Sequence, residues 1–232
     1  MSTNESKTAP KTKLTEKLVD FIQKNRKSLI AVLVGAVAVL VVVSGVVAYV
    51  DYSSKQAVSQ VEGLSAEYSA LSAIADEAAR DAKIAELTEK AQGASTSGMS
   101  SYAKSRAFAL LGTIYADKGN WAESEKAWMS AFDAAPKSYL APVGLYNAAV
   151  AAEERGDGEK AVELYTKCAE GYKESFPMAS RAYFAIGRLS EAKKDFDAAK
   201  KAYKTIVDTW PSDGWSKLAN SRIIAISAAE GK

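Results

Sequence analysis

From Leu29 to Val50 the chain reads "LIAVLVGAVAVLVVVSGVVAYV", twenty-two positions without one charged side chain. No other stretch constrains the fold as strongly. At about 1.5 Å rise per residue, roughly 20 helical residues cross a hydrocarbon layer about 30 Å thick. The stretch meets that length and predicts a transmembrane helix over residues 29–50. A cleaved signal peptide is the competing reading. Its apolar part would run to only about 7–15 residues, and the 28 residues ahead of it here are long for a signal's charged head. Cys168 is the sole cysteine, so no lipoprotein-type cysteine follows the run. The uncleaved span is the better expectation.

Charge sets the orientation. Residues 1–28 carry Lys7, Lys11, Lys13, Lys17, Lys24, Arg26 and Lys27 against Glu5, Glu16 and Asp20, a net of +4. A basic flank stays cytoplasmic, which puts residues 51–232 on the far side. With the whole chain at +2, that far part is at −2, and nothing in it suggests nucleic acid as a partner. The single cysteine leaves stability to helix packing. The absence of histidine removes Ser-His-Asp and Cys-His catalysis and the commonest transition-metal ligand. No phosphate-cradling glycine loop and no metal-ligand spacing is present, so no cofactor or metal is expected and the chain reads as a non-enzyme.

Ahead of the span, the polar residues 1–12 are expected to be disordered. "LTEKLVDFIQKNRKS" then places Leu14, Leu18, Phe21 and Ile22 at helical spacing with lysines opposite. Two readings stay open for it: a basic amphipathic helix on the inner leaflet, or a frayed extension of the membrane helix. Beyond the span, Val58, Val61, Leu64, Tyr68, Leu71 and Ile74 form a helical stripe, and Ala82 to Ala91 reads as a shorter helix. "GASTSGMSS" (93–101) reads as a loop. These two helices predict a degenerate first hairpin within a linker region, residues 51–100.

Residues 101–232 contain a repeat. Leu111-Gly112 and Ile186-Gly187 are equivalent points in two first helices. In the following helices, Ser124, Trp128 and Ala131 match Ala161, Tyr165 and Cys168, and then Ala199, Tyr203 and Ile206. The turns "KGNWAE", "RGDGEK" and "KKDFDA" offer Asn120, Asp157 and Asp195 as N-caps, with Glu123 completing a capping box. Two antiparallel helices approach closely only where side chains are small. Gly112, Ala149 and Gly187 should therefore lie at crossings, met by Ser124, Ala161 and Ala199. Trp128, Tyr165 and Tyr203 are expected to fill the space towards the next hairpin. The final segment, "GWSKLANSRIIAISAAEGK", suits a lone capping helix.

This pattern resembles the tetratricopeptide repeat, with copies over 105–138, 142–175 and 180–213. The fold class expected is all-α: a single N-terminal transmembrane helix followed by a tetratricopeptide-like helical-hairpin solenoid. Stacking is obligatory in such folds, because one hairpin cannot bury both its faces. The resemblance implies a concave surface lined here by Arg106, Thr113, Asp117, Tyr146, Asn147, Val150, Arg181, Phe184 and Arg188, a candidate groove for an extended or helical polypeptide. Family members that clamp a terminal carboxylate use clustered Lys and Asn at such places. Asn147 stands alone, so that use is not implied, and an ordinary solvated inner face remains the plain alternative.

Other candidates have plainer explanations. Cys168 occupies a small-residue slot and reads as buried packing rather than a redox thiol. Trp128 takes a core slot, while Trp121, Trp210 and Trp215 fall at helix ends. The acid pairs Glu153-Glu154 and Glu123/Glu125 read as exposed helical charge.

The order of parts is similar to that of the membrane-anchored ancillary subunit of the bacterial Sec translocon, itself tetratricopeptide-like. That likeness implies a single-pass inner-membrane protein with a cytoplasmic N-terminus and a periplasmic repeat domain. It also implies the protein-conducting channel and periplasmic chaperones as partners. Two other classes stay open: a structural scaffold in a cell-envelope or motility complex, and a homo-oligomer assembled through residues 63–79 or through Ala31-x-x-x-Gly35 in the span.

Overall fold

The computed structural model describes residues 11–98 and 100–230. Residues 1–10, most of the leader expected to be disordered, lie outside the described residues, while Lys11 and Thr12 open the first helix. Among the described residues every regular element is helical. The chain divides into two units, residues 1–53 and 54–232.

The first unit holds α1 (Lys11–Lys24) and the leading part of α2 (Arg26–Ser69). Asn25 separates the two helices. Its N–H donates to Phe21 O at 3.0 Å and its side-chain amide donates to the same oxygen at 2.9 Å. Such local side-chain bonding competes with a regular helical ladder. Every residue from 26 to 53 is exposed. The most apolar 18-residue window of α2 has a mean hydropathy of 3.0, and none of it is buried. Core helices of soluble proteins bury such a surface; this one does not.

The second unit begins within α2. Val61, Leu64 and Leu71 of the expected stripe are buried, and Val58, Tyr68 and Ile74 are half-buried. After a 3-10 turn (Ala70–Ala73) comes α3 (Glu77–Thr96), whose N-cap Asp76 accepts from Ala79 N–H. Helix α3 is longer at both ends than the 82–91 expected, and part of the predicted 93–101 loop is its last turn. Ser95 and Thr96 donate to the carbonyl of Gln92, and Ser97 to that of Ala94. Their side chains close the last turn where propensity alone reads loop.

Three hairpins follow: α4 (Ser101–Asp117) with α5 (Trp121–Ala134), α6 (Leu140–Glu154) with α7 (Gly158–Gly171), and α8 (Ala179–Ala192) with α9 (Phe196–Thr209). Helix α10 (Gly214–Glu230) closes the stack against α9 and α8. From α3 onward each helix packs on the next, and α4 also meets α6. The hairpin turns share one conformation. Gly119, Gly156 and Lys194 are left-handed, with φ of 71°, 86° and 62°. Each is followed by a residue whose N–H reaches back into the helix: Asn120 to Tyr115 O, Asp157 to Ala152 O and Asp195 to Ser190 O, all at 2.8–2.9 Å. This satisfies carbonyls that a helix end leaves open. Asp157 and Asp195 then cap the next helix through their carboxylates. Asn120 sits at the same place but makes no side-chain cap bond, contrary to expectation.

The close crossings are where small residues predict them. A Cβ on Gly112 would stand 2.7 Å from the Trp128 ring, and one on Gly187 would stand 2.5 Å from that of Tyr203. Ser124, the small partner across the first crossing, donates to Gly112 O at 2.9 Å. Ala149, Ala161 and Ala199 are fully buried. One correction concerns the rings. Trp128 and Tyr203 lie over the glycine of their own hairpin, and Tyr165 packs edge-on to Tyr146 of its own, 5.4 Å away, rather than only facing the next unit. Cys168 is buried and its thiol donates to Pro142 O. Burial pushes that thiol up to about 12, which makes it a poor nucleophile.

Candidate functional site

A polar network recurs where consecutive hairpins meet. On α6, Glu153 accepts from the Tyr165 hydroxyl of α7 at 3.3 Å and from Arg188 Nη2 of α8 at 2.5 Å. On α8, Glu191 accepts from the Tyr203 hydroxyl of α9 at 2.7 Å. Arg222 of α10 adds two bonds to the same carboxylate, at 2.7 and 3.0 Å. In each case a carboxylate twelve residues before a tyrosine is shared between its own hairpin and the arginine of the next helix. The carboxylates are largely sheltered: the Glu153 and Glu191 side chains are 23% and 13% exposed. Glu153 is therefore not the freely exposed helical charge expected from sequence.

Electrostatics support these roles. Hydrogen bonding from Arg222 holds the Glu191 carboxyl below its ordinary value, outweighing desolvation. Burial, then the bond to Glu191, raises the Tyr203 hydroxyl. Tyr165 is raised mainly by burial, helped by the charge of Glu153. Both phenols remain donors, and Glu191 remains an acceptor, through the physiological range.

The first repeat departs from this scheme. The positions matching glutamate, tyrosine and arginine are Ala116, Trp128 and Val150. With no polar bridge to close it, the seam between α4, α5 and α6 holds a hollow of about 170 Å³. Ala116, Trp121, Trp128, Val150, Thr113 and Asn147 are among its walls. A second hollow of about 260 Å³ adjoins it, sharing Thr113 and Trp128 and extending to Arg106, Tyr68 and Leu140.

The nine expected groove residues fall into three groups. Thr113, Asn147 and Val150 line the first hollow, and Arg106 and Thr113 the second. Asp117 accepts from the Tyr68 hydroxyl of α2 at 2.7 Å, and Arg106 lies 3.5 Å from Glu62 of α2, so the linker helix occupies part of the face beside α4. At the other end, Phe184 stacks between Tyr203 and Trp215, and Arg181 stands over the rings of Tyr146 and Trp215 at 5.7 and 5.9 Å. Among the described residues no carboxylate is ion-paired with Arg181. Tyr146 is buried, which removes it as a direct contact and makes it a platform beneath Arg181. Arg188 is tied to Glu153. Sequence reasoning put Glu153 and Glu191 among the positions of the expected concave surface but missed their bridges to tyrosine and arginine, Arg222 included, and treated Trp128 as packing alone. The recurrence of Glu then Tyr at a spacing of twelve was the signal that could have found the bonds to tyrosine.

Comparison with known proteins agrees with this architecture. Two family models described as tetratricopeptide repeat match residues 144–175 and 180–209. A "TPR repeat-containing protein" of Treponema pallidum (strain Nichols) is 37% identical over 131 residues, 56% of this chain and 54% of the relative. The chain thus spans about half the length of the curated relative it matches. The crystal structure of BtubC (BKLC) from P. vanneervenii superimposes with a TM-score of 0.58 over 79% of this chain and 82% of that one, at 15% identity, a likeness of fold. Residues 144–175 and 180–209 are thus similar to tetratricopeptide repeats, within an all-helical solenoid.

Proposed function

We propose that the chain is a single-pass membrane protein whose repeat domain takes a polypeptide segment into its inner face. The apolar hollow of the first repeat receives a side chain of that segment. The observation that carries this is the replacement of the Glu–Tyr–Arg bridge by Ala116, Trp128 and Val150. Two repeats close their seams with their own side chains, and one leaves its seam open and apolar. A hollow of about 170 Å³ suits one large aliphatic or aromatic side chain, the kind of buried anchor that dominates interface energetics. Asn147 supplies an amide at its wall able to pair with a passing backbone.

The unburied apolar window of α2 supports membrane attachment, since its length and composition suit a hydrocarbon layer. The basic flank supports a cytoplasmic N-terminus and a repeat domain on the periplasmic side of an inner membrane. In that setting the segment received belongs to an exported chain or a chaperone near the protein-conducting channel. A permanent place in a cell-envelope or motility complex is the other outcome.

Photo-crosslinking residues placed at Asn147 and Val150, with Lys204 on the outer face of α9 as control, test the reading in living cells. Capture from the two inner positions and not from Lys204 is expected. Channel or chaperone subunits among the products support the translocation setting, and stoichiometric capture of one envelope assembly supports the scaffold. Equal capture from Lys204, or none from the inner face, overturns the groove.

A further inference from the structure

Helix α1 is the one element of the first unit that the proposed groove and span leave without a role. Leu18, Phe21 and Ile22 recur at steps of three and one along it, which places them on one face, with Val19 at its edge. They are 57%, 56% and 46% exposed, and no described residue of the unit covers them. Lys17 and Lys24 flank Phe21 by four and three positions, at the border between the apolar and polar faces, while Glu16, Asp20 and Gln23 lie opposite. From residue 15 to 28 the basic residues are Lys17, Lys24, Arg26 and Lys27 against Glu16 and Asp20. The uncharged run begins immediately afterwards, at Leu29.

An apolar face bordered by lysines, on a short helix that ends where a hydrocarbon-crossing segment starts, has one environment that suits both halves. We infer that α1 lies along the surface of an anionic bilayer. Leu18, Phe21 and Ile22 are sunk to the acyl boundary, and Lys17 and Lys24 reach lipid phosphates. Asn25 is the joint: it falls between the two helices, its side-chain amide donates to Phe21 O, and the helix restarts at Arg26. The occupant is lipid rather than protein because the cationic border matches anionic headgroups and the face is continuous with the span. Long basic side chains beside an apolar stripe can lay their stems on it and keep their charges in the headgroup layer.

This inference rests on the reading of α2 as a membrane span, and the test separates the two. The full chain is placed in nanodiscs of anionic or of zwitterionic phospholipid. Nitroxide labels go on single cysteines introduced at Lys17, Leu18, Asp20, Phe21, Ile22 and Lys24, with Val39 in the middle of the run as the marker for insertion. Cys168 is buried, and the wild-type chain serves as the labelling blank. Collision with oxygen, which partitions into lipid, is compared with collision with a water-soluble nickel chelate. In anionic discs the labels at Leu18, Phe21 and Ile22 should favour oxygen several-fold over those at Lys17, Asp20 and Lys24. In zwitterionic discs or high salt that contrast should collapse. A marker at Val39 in lipid with all six α1 labels in water, or with no helical period among them, overturns the surface helix while the span stands. Labels at Leu18, Phe21 and Ile22 shielded from both probes, whatever the lipid, would mean a protein covers them and also overturn it. A marker at Val39 in water would overturn the span itself and the inference with it.

Discussion

The first and third repeats share a backbone plan and differ at their rims. In both, an aromatic ring of the second helix lies over a glycine of the first: Trp128 over Gly112, Tyr203 over Gly187. In the third, the ring carries a hydroxyl that holds Glu191, and Glu191 holds Arg222 of the next helix. In the first, the ring has no hydroxyl, alanine stands where the glutamate would be, and the next helix offers Val150. The shared feature sets how close two helices come. The variable feature decides whether the seam between hairpins is closed by a polar bridge or holds a hollow.

The shared feature should give the largest effect when broken. Even a Cβ at either glycine meets a buried ring well inside contact distance, and the rings are pinned by their neighbours. Overpacking costs about 1–3 kcal/mol and occasionally more. Gly187→Leu and Gly112→Leu should both reach or exceed the upper figure, measured as loss of thermal stability by circular dichroism of the full chain in detergent. Gly171→Leu, where an added Cβ meets nothing within 4 Å, should lose far less, with helix propensity favouring leucine. Equal tolerance at all three positions would remove the crossing from the account.

Breaking the third repeat's bridge comes next. Glu191→Ala leaves the buried Tyr203 hydroxyl without its acceptor, at a cost of about 1–3 kcal/mol. The bridge also carries a pH signature. Arg222 holds the folded carboxyl below its ordinary 4.5, so the stability it contributes is fully present above that value. It is lost as pH falls through the lower folded value. Arg222→Gln should therefore move the acid-unfolding midpoint to higher pH, while Lys217→Gln, on the same helix outside the bridge, should leave it in place. An unmoved midpoint in Arg222→Gln would mean the pair contributes no net stability.

How far the sequence disclosed this depends on what kind of contact sets each feature. Glycine and alanine at fixed spacing announce helix crossings because packing is governed by size, and size is written in each residue. Hairpins, turns and the closing helix were legible for that reason. Helix α3 was not, since serine and threonine closing its last turn act through geometry that propensity does not encode. The residues expected to line a groove do not all share one place. Thr113, Asn147 and Val150 come together in one hollow, whereas Tyr146 lies buried beneath Arg181. The carboxylate bridges were missed because their third member comes from the following helix at unequal distances, 35 residues from Glu153 to Arg188 but 31 from Glu191 to Arg222.

The difference between the repeats can be sharpened by grafting one rim onto the other. Ala116→Glu, Trp128→Tyr and Val150→Arg together should reproduce the polar bridge in the first repeat. The chain should remain folded, because a tyrosine already sits over a glycine in the third. With the hollow filled by its own side chains, capture from a crosslinker at Asn147 should fall by about tenfold, or about 1.4 kcal/mol in binding. Undiminished capture in a folded triple variant would show that the segment binds elsewhere.

The smallest effect lies in the turns, where the order of the repeats reverses. The first and second copies place glycine at the left-handed position, and the third places Lys194 there with φ of 62°. A left-handed residue with a Cβ costs roughly 1–2 kcal/mol, and part of that gain is offset by the greater freedom glycine brings to the unfolded chain, about 0.4–1 kcal/mol. Lys194→Gly should therefore stabilise the fold by up to about 1 kcal/mol, and Gly156→Lys should destabilise it by a similar amount. Both would appear as opposite shifts in urea midpoint at constant m-value. Loss of stability in Lys194→Gly would mean that the lysine side chain contributes more to the third turn than its backbone conformation costs.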